Sequence, residues 1–121
     1  MKNIIIVDDI EVNIDILEKM IYLWGEGEDI NVIAATSVKS ALIAHDSLLE
    51  SNYEIDLIIS DVHMPTQTGV DLFEVLRGNR GYVGPFCYLT SDNTFKGNAP
   101  VFIKPLNKTT VNDMLGLMDS V

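Results

Sequence analysis

Asp56-Leu57-Ile58-Ile59-Ser60-Asp61-Val62-His63-Met64-Pro65 is a short apolar run that stops on an aspartate and then turns. Apolar residues without polar alternation over a few positions read as a strand buried on both faces, the kind that belongs in a parallel sheet. The same pattern occurs earlier, where Ile4-Ile5-Ile6-Val7 runs into Asp8-Asp9. Two buried strands thus deliver carboxylates at their C-terminal ends, and ligands of open α/β sheets gather at those ends.

The rest of the chain alternates in period. Asn3–Val7 is expected as the first strand and Glu11–Trp24 as the first helix. There Val12, Ile16, Met20, Leu23 and Trp24 recur at helical spacing, Trp24 packs at the helix end, and Gly25 is a C-terminal stop. Asn31–Ala35 predicts a second strand. Ser37–Glu50 predicts a second helix with Ala41, Leu42, Leu48 and Leu49 on one side and His45 on the surface. Ile55–Ser60 is the third strand, Pro65 and Gly69 mark a loop, and Val70–Arg77 is a third helix with Val70, Phe73 and Leu76 inward. Pro85–Thr90 and Val101–Ile103 complete the strands. Asn107–Met118 closes as a helix N-capped by Asn107, with Val111, Met114, Leu115 and Met118 at i, i+3, i+4 and i+7. Strands alternating with helices predict an α/β fold with a parallel sheet and right-handed crossovers.

With 121 residues and 47% hydrophobic content, the chain is expected to form one domain, 1–121, with its own core. No apolar run approaches the roughly 18 residues that span a bilayer, and the N-terminus lacks a signal-peptide pattern, so a cytoplasmic location and no membrane partner are expected. The net charge of −10, with eight scattered Lys and Arg, argues against direct nucleic-acid binding. Cys87, alone in Phe86-Cys87-Tyr88-Leu89, reads as a buried small hydrophobe. Gly25-Glu26-Gly27 is too short and too acidic for a phosphate-binding loop, and no P-loop pattern occurs.

The chemistry lies at the strand ends. Asp8 and Asp9 follow the first strand, Asp61 the third, Thr90-Ser91 the fourth and Lys104-Pro105 the fifth. Converging carboxylates make a hard oxygen site suited to Mg²⁺, which binds one or two carboxylates plus phosphate oxygens. Asp61 is the candidate nucleophile toward a phosphoryl group, since a metal would offset the repulsion between a carboxylate and an anionic donor. Lys104 supplies a cation for a phosphate oxygen, and the Thr90 hydroxyl a hydrogen bond that draws it toward the group. Each residue has a plain alternative: a capping turn for the aspartates, a loop lysine, a strand-end threonine. The combination favours the pocket.

In this order the motifs resemble the receiver domains of two-component response regulators. The resemblance rests on Ile4-Ile5-Ile6-Val7-Asp8-Asp9, Asp56 to Pro65, Gly69-Val70-Asp71-Leu72, Leu89-Thr90-Ser91 and Ile103-Lys104-Pro105. It implies a flavodoxin-like, doubly wound five-stranded sheet in the order 2-1-3-4-5. It also implies Asp61 as phosphoacceptor, and Mg²⁺, with Mn²⁺ as a substitute, held by Asp8, Asp9, Asp61 and the backbone carbonyl of His63. Thr90, Ser91 and Lys104 would receive the phosphoryl group, Phe102 would be the switch aromatic, and His63 and Asp92 would tune the lifetime of the phosphorylated state. The donor would be a histidine kinase or histidine phosphotransfer protein, the output an unidentified downstream protein, and no turnover of an external substrate is expected.

One departure stands out. Only nine residues, Asp92–Pro100, separate the fourth and fifth strands, whereas a parallel crossover takes about a dozen or more. The family's fourth helix is therefore expected to be missing or reduced to a turn, which questions the usual output face. Two rival readings follow: a receiver-like interaction module that binds its partner regardless of phosphorylation, and a small aspartyl-nucleophile phosphatase. The second would place its nucleophile at Asp8.

Overall fold

The computed structural model describes residues 1–25 and 29–119; Glu26 and Gly27, part of the acidic stretch set aside as a phosphate loop, lie outside the described residues. The elements are β1 (Lys2–Val7), α1 (Glu11–Trp24), β2 (Ile30–Ala35), α2 (Val38–Glu50), β3 (Leu57–Ser60), α3 (Gly69–Gly78), β4 (Phe86–Thr90), β5 (Val101–Ile103) and α4 (Lys108–Gly116), the last running into a 3₁₀ turn at Leu117–Asp119. All strand pairs are parallel and the sheet order is β2-β1-β3-β4-β5, the flavodoxin-like, doubly wound arrangement.

Strand alternation divides the core in two. Ile5, Val7, Ile58, Phe86 and Tyr88 point to one face, beneath Val38 and Ala41 of α2 and Leu72 and Leu76 of α3. Ile4, Ile6, Leu57, Ile59, Cys87 and Leu89 point to the other, beneath Ile14, Leu17 and Ile21 of α1 and Val111, Met114 and Leu115 of α4. β1, β3 and β4 are buried on both faces, which is why they read as unbroken apolar runs.

Local signals set the boundaries. Asn107 caps α4, its side chain accepting from the Thr110 amide at 2.9 Å. Thr68 and Asp71 form a reciprocal capping box that starts α3 at Gly69. Gly25 ends α1 by donating to the Ile21 carbonyl at 2.7 Å. β3 begins two residues later than expected, because the Asp56 carboxylate accepts the Asn3 amide at 2.8 Å in place of a ladder carbonyl.

Three expectations about helix faces are corrected. α1 carries two adjacent apolar stripes, and the sheet buries Ile14, Leu17 and Ile21, leaving Val12, Ile16 and Leu23 exposed. Periodicity alone does not choose between neighbouring stripes. On α2, Leu49 is exposed while His45 is buried, one turn beyond Ala41 on the inward face. His45 is tolerated there because its Nδ1 lies 2.9 Å from Asp46 Oδ1, which Arg80 also holds at 3.0 Å, and its ring meets the Tyr82 ring edge-on. On α3 the fully buried pair is Leu72 and Leu76, with Val70 and Phe73 half-buried around them. Trp24 packs, half-buried, against the α1–α4 cluster.

No helix forms over residues 91–100. Phe95 and Ala99 pack down on the sheet there, with Phe95 edge-on to Tyr88 at 5.0 Å between ring centroids. Leu72→Ala is predicted to lose about 2–5 kcal/mol, seen as a lower urea midpoint at unchanged slope. Leu49→Ala should stay within about 0.5 kcal/mol of wild type. Equal losses would contradict the assigned faces.

Candidate functional site

Register builds the site. Val7 pairs with Ser60 across β1 and β3, so the next residues on each strand, Asp8 and Asp61, leave the sheet side by side. Backbone bonds continue past the strand ends: Asp8 donates to the Ala35 carbonyl at 3.1 Å and Asp61 to the Val7 carbonyl at 2.9 Å. Thr90 pairs with Ile103, and the Lys104 amide donates to the Thr90 carbonyl at 2.9 Å, which brings the lysine to the same rim. The Lys104–Pro105 peptide is cis.

Asp8, Asp9 and Asp61 each offer a carboxylate oxygen, and these atoms lie within 4.8 Å of one another. Such an all-oxygen, all-anionic donor set fits a hard divalent cation of the Mg²⁺ type. Lys104 Nζ lies 3.4 Å from Asp8 Oδ2 and 3.6 Å from Asp61 Oδ2, one cation paired with two of the three carboxylates. Asp8 is further held by the Ile10 amide on Oδ1 at 2.9 Å and by Asn13 Nδ2 on Oδ2 at 3.2 Å. Asp8 is thus not the cap of α1, whose N-cap is Ile10 with no side-chain cap bond; Asp8 Oδ1 closes the turn before the helix and Oδ2 faces Lys104 and Asn13.

Asp61 Oδ1 accepts the Val62 amide at 2.7 Å. Its carboxyl nonetheless titrates above the usual carboxylate range. Burial is the largest cause and the Asp8 charge adds to it, against the opposing pull of Lys104 and of the Val62 and His63 amides. Gly69 closes the loop beneath it. A Cβ there would sit 2.2 Å from the Asp61 carbonyl oxygen, so only glycine lets α3 start this close to the site.

Thr90 is buried and its Oγ1 accepts the Asp92 amide at 3.1 Å. Ser91 is exposed beside it. Asp92 Oδ2 lies 3.0 Å from His63 Nε2, a pair that joins the loop after Asp61 to the loop after Thr90. Asp92 Oδ1 accepts both the hydroxyl and the amide of Thr94, at 2.6 and 3.0 Å. The Thr94 hydroxyl, then His63, hold the Asp92 carboxyl down at about 2.

Phe102 is placed differently from its expected role. It pairs with Leu89 and packs into the α1–α4 side of the sheet, whereas Thr90 shares the opposite face with Tyr88. Alternation along β5 gives that face Val101 and Ile103, so Phe102 cannot turn inward against a moving Thr90. Asn13 and Thr94 belong to no motif and were not legible as site residues; nothing in a single sequence marks Asn13 except its place one turn into the helix after Asp8. A cavity of about 390 Å³ adjoins the pocket, with Ile16, Leu17, Met20, Leu89 and Leu106 in its wall and Asp8, Asp61 and Lys104 at its polar edge. Burial raises the Cys87 thiol far above its usual range, which leaves it unreactive.

A family model for the response regulator receiver domain matches residues 4–104. The chain belongs to this family. Among solved structures, this receiver is similar to a two-component response regulator from Cytophaga hutchinsonii (TM-score 0.80, 16% identity, 100% of this chain and 98% of that one). It is also similar to response regulator TrrA from Thermotoga maritima in complex with Mg²⁺ and BeF (TM-score 0.76, 22% identity, 98% and 99%). A third is the CheX-CheY-BeF3-Mg²⁺ complex from Borrelia burgdorferi (TM-score 0.76, 19% identity, 99% and 90%). Comparison with curated proteins found no match. Among the described residues, no helix of this receiver is long and apolar enough to cross a membrane.

The raised Asp61 has a measurable consequence. A carboxyl that holds its proton more readily folded than unfolded gives stability that is present at low pH and lost as pH rises through its folded pKa. Without divalent metal, Asp61→Asn should therefore be more stable than wild type at pH 7, and the difference should shrink as pH falls into the ordinary carboxylate range. Urea midpoints across pH measure it; a variant less stable at pH 7 would contradict the assignment.

Proposed function

We propose that this receiver accepts a phosphoryl group on Asp61 from a phosphohistidine donor protein, in a Mg²⁺-dependent reaction, and thereby changes its affinity for a protein partner. The observation that carries the reading is the clustering of Asp8, Asp9 and Asp61, two of which, Asp8 and Asp61, pair with Lys104 Nζ, with Thr90 at the adjoining strand end. Asp8, Asp9 and Asp61, with the His63 carbonyl, would hold the ion. When bound, Mg²⁺ supplies charge neutralisation between carboxylate and phosphoryl oxygens.

The chain's own residues do the rest. Asp61, ionised, attacks phosphorus: a new bond forms between its carboxylate oxygen and phosphorus, and the bond to the donor imidazole nitrogen breaks. Lys104 draws a phosphoryl oxygen, and Thr90 donates its hydroxyl to another. Burial works against the ionised form of Asp61 and Lys104 opposes that, and a bound divalent cation would add to the lysine's pull. The apolar cavity beside Asp61 and the exposed Ile16 give a donor protein a surface to rest on at the point of transfer. The chain assists its own phosphorylation and dephosphorylation rather than turning over an external substrate.

The lifetime of the product depends on His63 and Asp92. Both Asp92 oxygens are engaged, one by Thr94 and one by His63, so the carboxylate is held back from orienting a water toward the acyl phosphate. The helix-free segment 91–100 favours a second reading, in which partner binding is independent of phosphorylation.

Acetyl phosphate with Mg²⁺ should add the mass of one phosphoryl group to the wild type and none to Asp61→Asn. After reagent removal, His63→Ala should lose the group several-fold faster than wild type. No mass gain in the wild type would sink the reading, and equal decay would remove His63 and Asp92 from it. A phosphorylated chain that binds its partner unchanged would favour the second reading.

A further inference from the structure

The Asp8 carboxylate is gripped by the start of the helix that follows it. Its Oδ1 accepts the Ile10 amide at 2.9 Å and its Oδ2 accepts Asn13 Nδ2 at 3.2 Å, so both oxygens are held from the entrance of α1. The Asn13 backbone amide in turn donates to the Ile10 carbonyl at 3.0 Å, which ties the two donor residues to each other. Ile14, next to Asn13, is buried with Leu17 and Ile21 against the sheet. The grip on Asp8 thus comes from a helix locked onto the core.

Two donors share Asp8 Oδ2, and they differ in kind. Lys104 Nζ stands 3.4 Å away and also faces Asp61 Oδ2 at 3.6 Å. Both distances exceed the usual N–H···O range and the lysine stem is flexible, so Lys104 offsets the charge of the two carboxylates without fixing either. Asn13 does the reverse. A neutral amide fixes where the oxygen points and leaves its charge in place for a cation. A phosphoryl oxygen on Asp61 would compete for the Lys104 ammonium, and Asn13 Nδ2 is the donor to Oδ2 that such competition leaves untouched.

We propose that Asn13 is a positioning residue of this receiver: its hydrogen bond to Oδ2 holds the Asp8 carboxylate in the orientation a divalent cation needs, and so sets the affinity of Asp8, Asp9 and Asp61 for Mg²⁺. Asn13 acts through Asp8 and is not itself a ligand. Hydrogen bonds of this outer kind orient metal-binding side chains, and their removal costs about 10–100-fold in metal affinity. The inference rests on the reading of the three aspartates as a Mg²⁺ site and adds the residue on α1 that tunes it.

Isothermal titration calorimetry with magnesium chloride alone, on wild type and Asn13→Leu, tests it. Leucine matches asparagine in shape and lacks the donor, and the cavity that Asn13 borders with Ile16 and Leu17 has room for its apolar end. The expected result is a Kd raised about tenfold, with the Mg²⁺ concentration for half-maximal mass gain from acetyl phosphate raised by the same factor and a smaller loss of rate at saturating Mg²⁺. Asn13→Gln, which keeps an amide donor, should bind Mg²⁺ more tightly than Asn13→Leu; equal losses in the two would make the role one of packing and overturn the inference. If Asn13→Leu fails to fold, Asn13→Ala takes its place under the same expectation. A Kd within about twofold of wild type overturns the role of Asn13 and leaves the Mg²⁺ site standing. A wild type that binds no Mg²⁺ overturns the reading of the aspartates and the inference with it.

Discussion

Three carboxylates converge at the carboxyl edge of this sheet with one lysine among them, and the rest of the site follows from how that repulsion is managed. The convergence is a product of register: Asp8 and Asp61 each come one residue after the paired Val7 and Ser60. Moving either strand by one residue would turn its side chains to the opposite face, so the hydrophobic pattern that buries β1 and β3 also aims their aspartates. Lys104 at 3.4 and 3.6 Å, two amides on Asp8 and Asp61, and Asn13 offset the charge only in part, and Asp61 remains above its usual range. A pocket left short of positive charge has something to gain from a divalent ion and from a partner that neutralises it.

The output side is where this chain departs from the usual receiver plan. Segment 91–100 lacks a helix, yet the sheet beneath it is not bare, because Phe95 covers Tyr88 and Ala99 packs beside it. The covering is tied by the Asp92 amide to Thr90, by the Asp92 carboxylate to Thr94 and His63, by the Pro100 carbonyl to the Tyr88 amide, and by the ring contact of Phe95 with Tyr88. The segment meets the end of β4 at the Thr90 hydroxyl, which accepts the Asp92 amide.

Much of this was legible before any coordinates. Unbroken apolar runs ending in aspartate identify strands buried on both faces and place Asp8 and Asp61 at one edge, because strand ends in a parallel sheet share a rim. The short stretch between Thr90 and Val101 reveals its missing helix by counting alone. What stayed hidden depends on rotation about an axis. α1 offers two apolar stripes and the sheet selects Ile14, Leu17 and Ile21; α2 turns His45 inward because Asp46 and Tyr82 accommodate its ring. Phe102, two residues before Lys104, looks well placed in one dimension, but strand alternation sets it on the far face from Thr90. Asn13, through one hydrogen bond to Asp8, and Thr94, through two to Asp92, carry no periodic signature.

Asp8, Asp9 and Asp61 are held together with only Lys104 paired against them among the described residues, an arrangement that suits a divalent cation. Thermal unfolding with increasing Mg²⁺ tests it most directly, since a ligand that binds only the folded state stabilises it by RT ln(1 + L/Kd) at ligand concentration L. Wild-type Tm should rise with the logarithm of Mg²⁺ concentration once that exceeds Kd, and Asp61→Asn should start higher and gain much less. A wild-type Tm indifferent to Mg²⁺, or an equal rise in both proteins, would contradict it.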